Sequence, residues 1–520
     1  MNSPKRLSWM LLMLLLASVP AAHSQYMPRI GRVGCMPNSE RTAAAHRAPF
    51  KGKRHATPAE WNPAKTYRQL VVLVEFSDQK FKKEHNQDFY DQLFNNFSTK
   101  LYEGKKRYGT GSVADYFRDQ SHGKLNLRFD ILGPYQIEAL VRPTEYWDYK
   151  LDEIREATQM MVNDQAGRDF SPYDWDGDGS IDQIVYIFAG PCGFMGDAGY
   201  ILPSTDTSCD IKTLDGMPIA QTSASSELWT PSIPVNAGIG TICHEFSHCL
   251  GLPDLYPTNG NTYVIDDWAL MDGGNFINYG WCPPNYTPLE KMQLGWLTPV
   301  ELTASASIRD LKPVADGGEA YLIRHTDTEY YLLENRQQKG WDAGLPGKGL
   351  VVWHVNYNEN LWNNNQVNNY PSMLGIQLVH ADNLNYSKWV TYVNREGWEV
   401  YANEELMNSR YLSTSPYPYV KQSYTNNELS DTSSPKAEMY QLNEAGSRLL
   451  GKTIANIQMT ADGLISFDFI CDDAPSGISS LQPDDAVGQA YWYDLQGRRL
   501  SGKPARKGTY LYRGKKYIVR

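Results

Sequence analysis

The sequence predicts an α+β catalytic unit followed by a strand-rich region, and three observations carry that class. Apolar runs such as Leu70–Phe76 and Gln183–Phe188 come first and read as buried strands. A helical His-Glu-x-x-His stretch, His244–His248, follows these strands, and a sheet first with the metal-bearing helix after it is an α+β arrangement. From about residue 301 the texture turns to short apolar runs, Tyr330–Leu333 and Leu350–Val355 among them, spaced by Gly, Asn and Pro.

Taken in order, the chain begins with Lys5 and Arg6, an apolar run from Leu7 to Val19, and small residues at Ala22-His23-Ser24, so residues 1–24 read as a secretory signal. Residues 25–64 are rich in Arg, Pro, Ala and small polar residues and read as a pro-segment or linker. Within them, Arg32-Val-Gly-Cys35-Met-Pro-Asn38 is loosely similar to the cysteine switch of matrix metalloproteases, where a pro-segment thiolate occupies the open metal position; the bland alternative is an incidental cysteine. Residues 65–300 are expected to form the catalytic domain, extending to about 385 if the next strands complete its cleft. In that span Ser112 can cap a helix reaching about Ser121, which Gly123 ends, and Leu125, Leu127, Phe129 and Ile131 then alternate as a strand.

Just before the Gln183 strand stands Asp174-Trp-Asp-Gly-Asp-Gly-Ser-Ile-Asp182. Asp174, Asp176, Asp178 and Asp182 can aim carboxylates at one hard cation, Ser180 can lend a carbonyl, and Gly179 allows the sharp turn, so the loop is a calcium candidate. Val185 stands where an EF-hand would have its bidentate Glu, and a strand follows, so the loop is not a complete EF-hand. A solvated acidic turn is the alternative, but four carboxylates so close would repel one another without a cation.

The chemistry centres on His244-Glu-Phe-Ser-His-Cys-Leu-Gly-Leu-Pro-Asp254. His244 and His248 are one helical turn apart, so both imidazoles can reach one Zn2+ while Glu245 stands beside it as a general base. Gly251 can end the helix in the left-handed conformation and return the chain so that Asp254 becomes the third ligand. Three protein ligands leave a fourth position for a water acidified to a pKa of about 7. Met271, in Trp268-Ala-Leu-Met-Asp-Gly-Gly274, resembles the Met-turn of the metzincin metalloproteases; by itself it would be an ordinary core methionine.

Residues 301–472 read as a β-rich region, with Asn363–Asn369 and Ser413–Tyr419 as loops by composition. Residues 473–520 read as a linker followed by a small strand-bearing module similar to C-terminal sorting modules of certain Gram-negative secreted proteins. The 520 residues carry a net charge of -10, which argues against nucleic-acid partners. No stretch after the signal approaches the roughly 20 apolar residues of a membrane span. Seven cysteines are expected to pair in part in an oxidising compartment, and their scatter does not match a structural zinc site.

Leu70–Asp78, Ser112–Leu127, the Asp-Gly loop, His244–Tyr256, Leu270–Gly274, Leu294-Gly-Trp296, Tyr331–Arg336 and Leu345–Val355 together resemble the immune inhibitor A family of secreted bacterial metalloproteases. That resemblance implies a metzincin-like zinc endopeptidase made as a secreted precursor and acting on protein or peptide substrates. It places zinc on His244, His248 and Asp254 and makes Glu245 the base, although the long metzincin motif is not met because position 254 is Asp. The competing expectation is a protease-derived protein that binds glycans or surfaces and keeps the metal for structure. Glu245 argues against it, since a structural site has no use for a base.

Overall fold

The computed structural model describes residues 61–96, 111–141, 149–193, 200, 203–206, 217–259, 264–383, 389–393, 399–403, 412–422, 424–471, 492–493, 499–500, 502–512 and 515–519. The signal, Cys35 and nearly all of the 25–64 segment lie outside them.

The first half holds β1 (Thr66–Glu75), α1 (Gln87–Asn95), α2 (Val113–Gln120), β2 (Asn126–Gln136), α3 (Tyr149–Asp164), β3 (Ile181–Pro191), β4 (Ser204–Asp206), β5 (Ile219–Leu228) and α4 (Gly240–Cys249). One five-stranded sheet runs β2-β1-β3-β5-β4. Its first four strands are parallel, and β4 is laid antiparallel on β5. The parallel part explains the unbroken apolar run of β1, because alternate side chains enter two different cores. Val71 and Leu73 pack with Tyr116 and Phe117 of α2 and Phe246 of α4. Leu70, Val72 and Val74 pack with Ile154, Ala157 and Met161 of α3.

Local signals place several elements as expected. Ser112 accepts a hydrogen bond from Asp115 N–H while the Asp115 carboxylate accepts from Ser112 N–H, a reciprocal cap that fixes the start of α2. By contrast β5, Ile-Ala-Gln-Thr-Ser-Ala-Ser-Ser-Glu-Leu, is almost wholly buried while carrying little apolar character. Its small side chains suit a strand with α4 packed against it.

Beyond α5 (Pro288–Gln293) come β6 (Val300–Glu301), β7 (Ala306–Leu311), β8 (Tyr321–Arg324), β9 (Glu329–Arg336), β10 (Gly349–Asn356), α6 (Glu359–Asn363) and β11 (Ile376–Leu378). A second sheet runs β11-β10-β9-β8-β6. The apolar core that contains Phe246 also contains Leu332 of β9, Trp353 of β10, Ile376 of β11 and Leu412, so the two sheets share one interior. Arg336, 2% exposed, ties the end of β9 to the segment before α5 and to the turn before β10: it donates to both Asp342 oxygens and to the Asn285 carbonyl. A third sheet pairs β7 with the strand Ile465–Cys471, which pairs in turn with Lys452–Met459. The α+β class is therefore observed.

Compactness divides the chain at Phe469/Ile470. The C-terminal unit contains an antiparallel sheet of Trp492–Tyr493, Arg499–Leu500, Gly508–Tyr512 and Lys515–Val519.

Candidate metal centre

α4 starts where two backbones nearly touch. No side chain caps it, and the N–H groups of Ile239 and Gly240 donate instead to the Gly280 carbonyl at 2.9 and 2.7 Å. A Cβ on Gly240 would lie 2.1 Å from the Asn275 carbonyl oxygen, so only glycine fits there. All ten residues of the helix are buried.

Its C-terminus is a Schellman turn: Leu252 N–H donates to Ser247 O at 3.1 Å, Gly251 N–H to His248 O at 2.9 Å, and Gly251 sits at φ 98°. The left-handed glycine expected from the sequence is thus in place, and the turn has a second product. It presents the Leu252 carbonyl to His248 Nδ1 at 2.7 Å. His244 Nδ1 donates likewise to the Leu270 carbonyl at 2.9 Å. The next residue, fully buried Met271, takes Leu255 N–H on its own carbonyl at 2.7 Å, which pins the chain just after Asp254.

With both Nδ1 atoms donating, both Nε2 atoms face one carboxylate oxygen. Asp254 Oδ1 lies 3.1 Å from His244 Nε2 and 3.3 Å from His248 Nε2. One ligand atom from each of the three residues falls within 4.8 Å of the others. Two imidazole lone pairs and a carboxylate converging in a dry site require positive charge between them, and this donor set suits zinc. The electrostatics agree. Burial alone would depress the His248 imidazolium, yet the facing Asp254 carboxylate more than offsets it and raises the pKa to about 9. Burial pushes the Asp254 carboxyl up, and His248 with the two imidazole hydrogen bonds outweighs that, holding it well below the ordinary carboxylate range. The carbonyl partners on Nδ1 are the orienting contacts that metal-binding histidines need.

Glu245 is 2% exposed. Thr205 of β4 donates to its backbone carbonyl at 2.7 Å and stands 3.1 Å from Oε2, so the last strand of the sheet is hooked to the residue between the two histidines. Asn365, from the loop after α6, bonds Asp254 twice: Asp254 N–H donates to Asn365 Oδ1 at 2.6 Å and Asn365 Nδ2 donates to Asp254 Oδ2 at 2.7 Å. Sequence reading missed both Thr205 and Asn365; neither a short Ser-Thr-Asp strand nor an asparagine run signals a partner so far along the chain.

Of the acidic loop, Asp174, Asp176 and Asp182 gather their carboxylates within 4.8 Å, while exposed Asp178 stands outside that group and accepts Ser180 N–H at 2.9 Å. Asp174 accepts from the N–H groups of Gly177, Asp178 and Gly179 at 2.7, 3.2 and 2.8 Å. Among the described cysteines, Cys192, Cys243, Cys249, Cys282 and Cys471, no two are bonded to each other.

Comparison with known proteins bears on the same stretch. Residues 203–290 match the model of the immune inhibitor A peptidase M6 catalytic domain. The family likeness is to immune inhibitor A. The matched span contains Thr205, Glu245, all three convergent residues and Met271, whereas the acidic loop and Asn365 lie outside it. Immune inhibitor A of Bacillus thuringiensis subsp. alesti is 24% identical over 279 residues, 43% of this chain and 38% of that protein. Pre-pro-metalloprotease PrtV of Vibrio cholerae serotype O1 (strain M66-2) is 24% identical over 253 residues, 41% of this chain and 28% of that protein. The chain thus matches well under half the length of either relative. The recognition of the immune inhibitor A family from the sequence is borne out, and with it a peptidase-type catalytic domain for which the family implies a metal.

Proposed function

We propose that the chain is a secreted zinc endopeptidase with a metzincin-like catalytic domain, and the observation that carries this is the convergence of His244, His248 and Asp254 beside buried Glu245. His244, His248 and Asp254 would hold the ion. A bound zinc supplies Lewis acidity, polarising a carbonyl and lowering the pKa of a water. Glu245 takes the proton of the attacking water on its carboxylate and delivers it to the leaving amine. Thr205 donates to the Glu245 carbonyl and belongs to β4, the last strand in the sheet order among the described residues, so the base stands beside a strand along which an extended peptide can pair. An edge of this kind takes the middle of a chain as readily as an end, which favours an endopeptidase.

The α4 ligand pair and buried Met271 support the metzincin-like reading. The shared interior supports a catalytic unit that continues past residue 300 to about 385. The signal-like residues 1–24 support secretion, and the acidic loop supports a structural calcium. Among the described residues no helix is long and apolar enough to cross a membrane.

Glu245→Gln tests the mechanism. It should keep one zinc per chain while cleavage of a denatured protein falls by about 10²–10⁴-fold, the contribution usual for general acid–base catalysis. Wild-type cleavage by that variant would end the proposal, and a zinc-loaded wild-type chain that cleaves nothing would favour the binding-protein alternative.

A further inference from the structure

We infer that Asn365 is a positioning residue for the metal: it holds one oxygen of Asp254 and so leaves the other aimed at the point where His244 and His248 converge. The inference rests on the reading of Asp254 as a ligand.

The contact is reciprocal, which fixes the orientation of the amide. Asn365 Oδ1 accepts the Asp254 N–H at 2.6 Å and Nδ2 donates to Asp254 Oδ2 at 2.7 Å; turned over, the amide would set donor against donor and acceptor against acceptor. Backbone and side chain of Asp254 are therefore held from one partner. With Oδ2 engaged, Oδ1 is the oxygen left facing the two imidazoles at 3.1 and 3.3 Å. Unheld, a carboxylate could rotate and present either oxygen or both.

Asn365 can do this because it is itself fixed. It sits in the left-handed region at φ 55°, which asparagine tolerates better than most residues. Its carbonyl accepts the Thr258 hydroxyl at 2.8 Å, and Asn369 Oδ1 accepts Thr258 N–H at 2.7 Å. Between them Asn368, fully buried, donates to the carbonyls of Leu255 and Ile376 at 2.7 and 3.0 Å and accepts from the N–H groups of Gly375 and Ile376. The segment 365–369 thus straps the loop 254–258 to β11, and Asn365 is the strap residue whose side chain reaches the carboxylate. A purely structural strap would have no need of the Nδ2–Oδ2 bond, since the contacts made by Thr258, Asn368 and Asn369 already bind the two loops together.

Asn365→Gly and Asn365→Ala test the role in the full-length chain. Glycine keeps the left-handed backbone without strain and alanine does not, so the two variants should differ in the thermal midpoint of the metal-free protein. Both should bind zinc more weakly by a similar factor, about 10–100-fold, as lost orienting partners of metal ligands do, measured by competition with a chromophoric chelator. Zinc affinity within twofold of wild type in the glycine variant, or affinity that follows the thermal midpoints of the two variants, overturns the inference. Asp254→Ala run alongside separates the two levels. If it too keeps wild-type affinity, Asp254 is not a ligand and the inference falls with that reading; if it alone loses zinc, only the positioning role is overturned.

Discussion

The centre around α4 and the acidic loop before β3 both gather three candidate ligands within 4.8 Å, yet they are built by opposite means. His244, His248 and Asp254 are 0, 7 and 2% exposed, and their orienting partners come from Leu252, Leu270 and Asn365. In the loop, Asp176 is exposed and Asp174 is satisfied by N–H groups within five residues of itself. A loop that supplies its own donors can keep its shape in water, so a cation adds stability there. A dry cluster of lone pairs cannot stay uncharged, so positive charge is a condition of its existence.

The largest effect expected from this contrast is at the centre. Asp254→Ala leaves two imidazoles as ligands, so zinc content measured by mass spectrometry should fall well below one per chain and protein cleavage with it. One zinc per chain and full activity in that variant would make the two clusters equivalent and remove the contrast.

A smaller effect is expected at the loop. Among the described residues Asp176 accepts only the 3.1 Å bond from Asp178 N–H, so Asp176→Ala should spare the loop while weakening a cation. Calcium at a hundredfold excess over its Kd should stabilise the metal-stripped wild type by about 2.7 kcal/mol, and the variant much less, with zinc content unchanged. A wild-type thermal midpoint that calcium does not move would show the loop to be a solvated turn.

The last effect, confined to neutral and alkaline pH, concerns a buried acid with no metal to turn to. Burial foremost pushes the Glu290 carboxyl up to about 7, against the hydrogen bond from Thr287. The folded state thus holds a proton that the unfolded state releases near pH 4.3, and the associated stability is present below that pH and lost as pH rises through about 7. Glu290→Gln should flatten this decline and be more stable than wild type at pH 8, by at most about 4 kcal/mol in urea unfolding. Parallel pH profiles for the two proteins would show that Glu290 ionises without cost.

Legibility in the sequence follows the same division between local and distant. The His-Glu-x-x-His spacing, the left-handed Gly251, the Ser112 cap and the clustering of aspartates before β3 each depend on neighbours within a few residues, and each can be read from the chain. Strands buried on both faces, β1, β3, β9 and β10, announce themselves by composition. What stayed hidden depends on groups without a residue signature. The carbonyls of Leu252 and Leu270 orient the histidines, and any residue could supply a carbonyl. The asparagines at 365, 368 and 369 read as turn formers because their partners lie 111 to 113 residues away. The Ser- and Ala-rich β5 escaped notice because its burial comes from neighbours, not from its own hydrophobicity.

The span of those partners sets an order of events for a chain emerging from the ribosome. Residues 240–254 can coil and turn as soon as they exist, but His244 waits for Leu270, and Asp254 waits for Asn365, 111 residues later. Until β11 closes against Asn368 the three candidate ligands have no fixed aim. A proteolytic chain arranged in this way would be born harmless, because its cutting edge can be assembled only once the chain has grown past residue 376.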